Sequence, residues 1–206
     1  MYATSFIANS PVSNFNVNIF FLVLLFLATV LVVRKIRPEF AYLVPVAPAM
    51  IPSLYINWDL WAIATMMLAI YWFDRKQYTN SALLMAISIS TKFLPIFLLI
   101  PIGFILWRDS KVKELIKYGA VVAGTWIAIN APFALTTPTG WWRFYKLNLE
   151  RGADWGSIWL ALQQLGVNFT NLNYLSILLL LIALTSIAIL LFELKYTPTL
   201  ASVAFL

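Results

Sequence analysis

Seven long apolar runs, almost free of charge, constrain this chain more than any other feature. They are Val17–Val33, Phe40–Ile56, Leu60–Phe73, Thr79–Thr91, Phe93–Trp107, Tyr118–Leu135 and Asn173–Phe192, and an eighth begins at Leu200 and reaches Leu206. Runs that are continuous instead of alternating point to helices, because a lipid-facing strand alternates between two environments and a helix satisfies its own backbone in hydrocarbon. Charged residues make up only 11% of the chain, against about 25% in a soluble domain. The expected fold class is therefore all-α, a polytopic transmembrane helical bundle. The expected localisation is the plasma membrane, multi-pass, with residues 1–206 forming a single transmembrane domain.

A full span takes ~20 residues, so the three middle runs are short and some are expected to be re-entrant. The stretch Thr79–Trp107 reads either as one long helix or as a hairpin turning at Lys92. Basic residues favour the hairpin. With the hairpin, ten of the fourteen Lys and Arg share one side: Arg34, Lys35, Arg37, Arg75, Lys76, Arg108, Lys111, Lys113, Lys117 and Lys195. The positive-inside rule makes that side cytoplasmic. A single helix would bury Lys92 in lipid, which is costly. Pro95, just after the turn, suits the first turn of a new helix. The hairpin in turn sets Asn57, Asp59, Lys92 and an extracytoplasmic loop over residues 136–172 on the outward face.

Composition also removes whole classes of chemistry. The chain has no Cys and no His, which excludes thiol nucleophiles, disulfides and imidazole bases and argues against a metal centre. No cofactor is expected. The net charge of +6 follows from basic inner loops and gives no reason to expect nucleic acid. No basic region opens a signal peptide before Tyr2–Ile7, and both ends read as cut from something longer.

Polar residues between the apolar runs are the candidates for chemistry. Asp59, in Asn57-Trp58-Asp59, reads either as a helix cap at the headgroup level or as a carboxylate that orients a sugar hydroxyl or a cation, or acts as a base. Lys92 follows Ser88, Ser90 and Thr91. It reads as a snorkelling lysine or, because outward faces avoid positive charge, as a phosphate contact. The stretch from Gly140 to Ser157 is dense in Trp, Tyr and Arg. An amphipathic interfacial helix accounts for Trp141, Trp142 and Phe144, but not for Arg151-Gly152-Ala153-Asp154-Trp155-Gly156-Ser157. There Arg with Trp suits an anion beside a sugar ring, and glycines permit close backbone approach.

Taken in order, Asn57-Trp58-Asp59-Leu60, a basic turn, Thr91-Lys92-Phe93-Leu94-Pro95, then Arg143-Phe144-Tyr145, Asn148 and Arg151 through Trp159 resemble the polytopic GT-C glycosyltransferases of family 87. That family includes polyprenol-phosphate-mannose-dependent alpha-mannosyltransferases. The likeness runs from Phe15 to Leu165. It implies a GT-C-like bundle that transfers a hexose, mannose by resemblance, from a polyprenyl-phosphate donor to a lipid or glycan acceptor at the outer face. It also implies a catalytic carboxylate in a first outward loop that would lie upstream, leaving Asp59 and Asp154 as weak candidates for that role. The substrate-binding candidates are Asn57, Asp59, Lys92, Arg143, Tyr145, Asn148, Arg151, Asp154 and Trp155. The expected partners are the sugar donor, the acceptor and membrane lipids. The competing readings are a transporter or lipid flippase, against which the lack of an internal repeat counts, and a structural subunit without chemistry.

Overall fold

The structure, a computed structural model, describes residues 10–48, 59–150, 152–154 and 157–204. Among the described residues it is helical, with no strand. Three helices, Pro11–Ile36, Val112–Thr136 and Leu172–Glu193, are long and apolar enough to cross a membrane, and on that ground this is a membrane protein. The chain divides into two compact units, one of Met1–Ile129 with Thr197–Leu206 and one of Asn130–Tyr196.

In the first unit, α1 spans Pro11–Ile36. Ser10 caps it by accepting the Ser13 N–H at 3.1 Å, and Pro11 occupies the first turn, where its missing N–H costs nothing. Arg34 and Lys35 in the last turn meet the negative end of the helix dipole. A single 3-10 turn, Pro38–Phe40, and the four-residue α2, Leu43–Val46, follow. Of the apolar run Phe40–Ile56, residues 49–56 lie outside the described residues. The part that is described holds this short helix around Pro45 and not a continuous span.

Helix α3 covers Asp59–Asp74 and α4 covers Tyr78–Thr91. Both agree with the apolar runs to within a residue at most ends. The turn between them is closed by Lys76 N–H to the Phe73 carbonyl at 2.8 Å and Gln77 N–H to the Trp72 carbonyl at 3.0 Å. Lys76 takes the left-handed conformation (φ 62°) that such a cap requires. The two helices then pack antiparallel through small residues. Ser81 Oγ donates to the Ala69 carbonyl and Ser88 Oγ to the Ala62 carbonyl, both at 2.8 Å. The donors are seven residues apart on one helix and the acceptors seven apart on the other, so one contact repeats two turns later. Ala69, Ala82, Met85 and Ala86 are fully buried. Small side chains let the backbones come close enough for these bonds, which is how helices associate where lipid removes the hydrophobic driving force.

The hairpin expected at Lys92 is present. After α4, Lys92 is extended (φ −148°, ψ 133°), a 3-10 segment runs over Leu94–Leu98 with Pro95 in its first turn, and α5 covers Leu99–Arg108. A straight helix from 79 to 107 would set its ends ~42 Å apart at 1.5 Å per residue. Instead the Lys111 Nζ donates to the Tyr78 hydroxyl at 3.0 Å, so the chain leaves and returns. The second turn repeats the first: Lys111 N–H bonds the Leu106 carbonyl at 2.8 Å, and Ser110 (φ 59°) is left-handed. Helix α6, Val112–Thr136, begins six residues before its apolar run, taking Lys113 and Lys117 into its first turns. The Tyr118 hydroxyl lies 3.0 Å from Ser81 Oγ, tying α6 to α4.

Helices α1 and α3 run in the same direction, since Phe21 meets Trp61 (centroids 5.9 Å apart) while Lys35 and Arg75 both lie over the Tyr71 ring at 5.6 and 4.4 Å. The first unit is therefore polar along its length. Lys35, Arg75, Lys76 and Lys111 gather at one end, and Asp59 and Lys92 at the other. The Asp74 carboxylate, at the basic end, accepts the N–H groups of Leu200 and Ala201 at 2.7 and 3.0 Å and so starts the last described helix, residues 200–204.

In the second unit the segment expected as an extracytoplasmic loop, residues 136–172, is largely helical. Helix α7 covers Pro138–Glu150 and α8 covers Ile158–Gln164. Helix α9, Leu172–Glu193, follows.

Candidate functional site

At the end of the first unit opposite the basic residues, Lys92 Nζ lies 2.5 Å from Asp59 Oδ1. Asp59 opens α3, and Lys92 caps α4 with its N–H on the Ser88 carbonyl at 2.9 Å. Residues 33 apart in sequence thus meet because α3, with 16 residues, and α4, with 14, are antiparallel, and one sits at the start of α3 and the other at the end of α4. The Lys92 side chain is 48% exposed and that of Asp59 25%. An ion pair this open contributes about 0.2–1 kcal/mol to stability. Lys92 has three N–H donors and gives one of them to Asp59. The pair therefore orients an ammonium that can still take an anionic oxygen, with a carboxylate beside it that can accept a hydroxyl proton.

Two of the three hydroxyls before Lys92 do not belong to such a site. Ser88 Oγ is buried against the Ala62 carbonyl, and Thr91 Oγ1 donates to the Ile87 carbonyl of its own helix at 2.9 Å. They stabilise the helix pair and its end.

In the second unit, Tyr145 sits among aromatic rings: Trp141 at 4.9 Å, Phe144 at 5.3 Å and Trp142 at 5.8 Å between centroids. Partial burial raises its phenol above the ordinary value. The Trp141 indole donates to Asn130 Oδ1 at 3.1 Å. Arg143 is exposed on α7. Asn148 turns its amide to the Phe144 carbonyl of its own helix at 2.8 Å. Asp154 is half-buried in the turn that starts α8: its N–H donates to Ser157 Oγ, its carbonyl accepts the Ser157 N–H, and Ser157 Oγ caps Leu160. Helix α7 thus matches the interfacial-helix reading of Trp141, Trp142 and Phe144, and the backbone of Asp154 serves a helix start. Asn57, Arg151 and Trp155 lie outside the described residues.

Two buried polar groups were not singled out from sequence. Asn18 is 2% exposed; its amide nitrogen bonds Asn14, and its Oδ1 has no hydrogen-bond partner, nor has the buried Trp61 Nε1. The signal was available for Asn18, an amide inside an apolar run. Among the described residues no cluster of acidic side chains forms a metal site.

Comparison with protein-family models, with curated proteins and with solved structures gave no match for this chain.

Proposed function

We propose that the chain is part of a polytopic GT-C-like membrane glycosyltransferase that transfers a hexose, mannose by resemblance, from a polyprenyl-phosphate donor at the extracytoplasmic face. The seven apolar runs are its membrane segments, and the basic end of the first unit faces the cytoplasm. The single observation that carries this reading is the Asp59–Lys92 pair at the end opposite the basic residues. An ammonium kept on the face that positive charge avoids is best explained by an anion that visits it. In this reading Lys92 holds the donor phosphate as negative charge grows on the oxygen leaving the sugar. A carboxylate takes the proton of the acceptor hydroxyl as that oxygen bonds to the anomeric carbon. Asp59 positions Lys92 and the sugar.

The test is binding of polyprenyl-phosphate mannose to the chain in nanodiscs. Lys92→Met should weaken binding roughly ten- to hundredfold, the equivalent of one charge-assisted contact of ~1.5–3 kcal/mol, and Lys92→Arg should weaken it less. Equal affinity of Lys92→Met and wild type would refute the assignment. Transbilayer movement of the lipid without release of sugar would give the site to a flippase instead.

A further inference from the structure

At the basic end of the first unit, α1 stops because Pro38 follows Arg37. Proline offers no N–H and keeps the residue before it out of the helical region, and Arg37 is extended (φ −143°, ψ 81°). The turn Pro38–Phe40 then sends α2 beside α1 and α3 without closing on them. A cavity of about 700 Å³ remains, lined among others by Thr29, Val33, Arg37, Val44, Ile63 and Met67. Thr29, Val33 and Arg37 follow at intervals of four, so they form one row along α1 that ends in a cation. The Thr29 hydroxyl donates to the Leu25 carbonyl of its own helix at 2.8 Å, and every other lining residue but Arg37 is apolar. Thr29, Val33 and Met67 are buried, whereas Phe40 and Leu43, also in the lining, are 52% and 45% exposed. The cavity therefore has an open side, which in a membrane meets lipid.

Charge and depth together choose the occupant. Lys35 and Arg75 share the Tyr71 ring, which sets Tyr71 level with the end of α1. Ile63 lies two turns and more before Tyr71 on α3, about 12 Å deeper at 1.5 Å per residue. One leaflet of hydrocarbon is about 15 Å deep. The cavity thus has its cation at headgroup level and its apolar walls within the leaflet below, the order of parts in a phospholipid. Arg37 gives one N–H to Glu39 at 3.4 Å. A guanidinium has five, in a fork that matches a phosphate. We propose that this cavity takes an acyl chain of an anionic phospholipid from the leaflet at the basic end, with the lipid phosphate on Arg37. Basic pockets between membrane helices hold such headgroups. Here the cation and the apolar walls belong to one lining, so a single molecule meets both.

Native mass spectrometry of the whole chain in a neutral detergent, titrated with phosphatidylglycerol or phosphatidylcholine, tests this. Wild type should retain phosphatidylglycerol in preference. Arg37→Gln should reduce that preference roughly tenfold, the worth of one charge-assisted contact. Glu39→Gln should raise it, because the carboxylate that competes for Arg37 is gone. Arg34→Gln, exposed on the same helix end and outside the lining, should cost less than Arg37→Gln. Val44→Trp places an indole in the path of the chain and should cut retention of both lipids roughly fivefold or more, as overfilling does. Helicity and thermal midpoint verify folding, and Ala47→Phe, also in the lining, replaces Val44→Trp if that variant unfolds. Equal losses in Arg37→Gln and Arg34→Gln would reduce the effect to surface charge and overturn the site. Full retention with the cavity filled would overturn the place of the chain. Displacement of the lipid by inorganic phosphate, but not by chloride at matched ionic strength, would assign Arg37 to a free anion and overturn the lipid.

Discussion

The α3–α4 pair and α9 are both apolar helices, yet they use their side chains in opposite ways. On the facing sides of α3 and α4 the residues are small or hydroxylated, and Ala69, Ala82, Ser81 and Ser88 are wholly buried. Helix α9 is richer in leucine, but Leu178, Leu181 and Ile182 are each more than half exposed. In water the leucine-rich helix would be the core. In lipid the order reverses, because tails are as apolar as leucine and only close backbone approach and hydrogen bonds hold helices together. The hydroxyls show the same contrast. Ser81 and Ser88 reach across to another helix, whereas Thr185 and Ser186 on α9 donate to their own Leu181 and Ile182 carbonyls.

The largest effect should come from adding bulk to each helix. Ala82→Leu forces an isobutyl group into a face with no free surface, which costs about 1–3 kcal/mol when a packed site is overfilled. The same change at the exposed Ala183 of α9 should leave stability within about 0.5 kcal/mol. Unfolding in detergent by a graded denaturant measures both. Equal costs at the two positions would break the comparison.

Removing hydroxyls is a finer probe. Ser88→Ala and Ser81→Ala should each cost about 0.6 kcal/mol, with ~1.7 as the upper range for an interhelical bond in a membrane protein. Ser81→Ala should cost the more, because Tyr118 shares that hydroxyl. Ser186→Ala, which removes only a bond within α9, should cost close to nothing. If it matched Ser88→Ala, crossing between helices would have no special weight.

How much of this was legible in the sequence depends on which signal each region carries. Charge located the turn at Lys92 correctly, since a lysine in mid-lipid is expensive whatever surrounds it. Apolar runs gave the ends of α3 and α4 because both stop at polar turns. They missed the start of α6, since Lys113, Glu114 and Lys117 sit comfortably in the first turns of a helix whose polar end leaves the lipid. Within residues 136–172 an interfacial helix was legible from Trp141, Trp142 and Phe144, but its bounds were not, although Pro138 and Ser157 are ordinary helix-start residues. The Asp59–Lys92 contact was not legible as a contact: each residue was a candidate by itself, and only the antiparallel pairing of α3, which Asp59 opens, with α4, which Lys92 ends, joins them. Ser88 and Thr91 were grouped with Lys92 by adjacency, but helix periodicity turns Ser88 to α3 and lets Thr91 bond its own backbone.

The smallest expected effect is the sharpest statement about α9. Leu178→Ala removes an isobutyl group from a side chain that is 54% exposed. In a packed core the same truncation costs about 2–5 kcal/mol, because the cavity does not close. Next to lipid there is no cavity, since acyl chains flow into the space, and the change should stay within about 0.5 kcal/mol. Met85→Ala on α4, wholly buried, supplies the contrasting case and should fall in the core range. A cost above ~2 kcal/mol for Leu178→Ala would mean that protein, not lipid, covers that face. The leucines of α9 would then be a docking surface for another helix, and the division between lipid-facing leucine and helix-facing alanine and serine would fail for this chain.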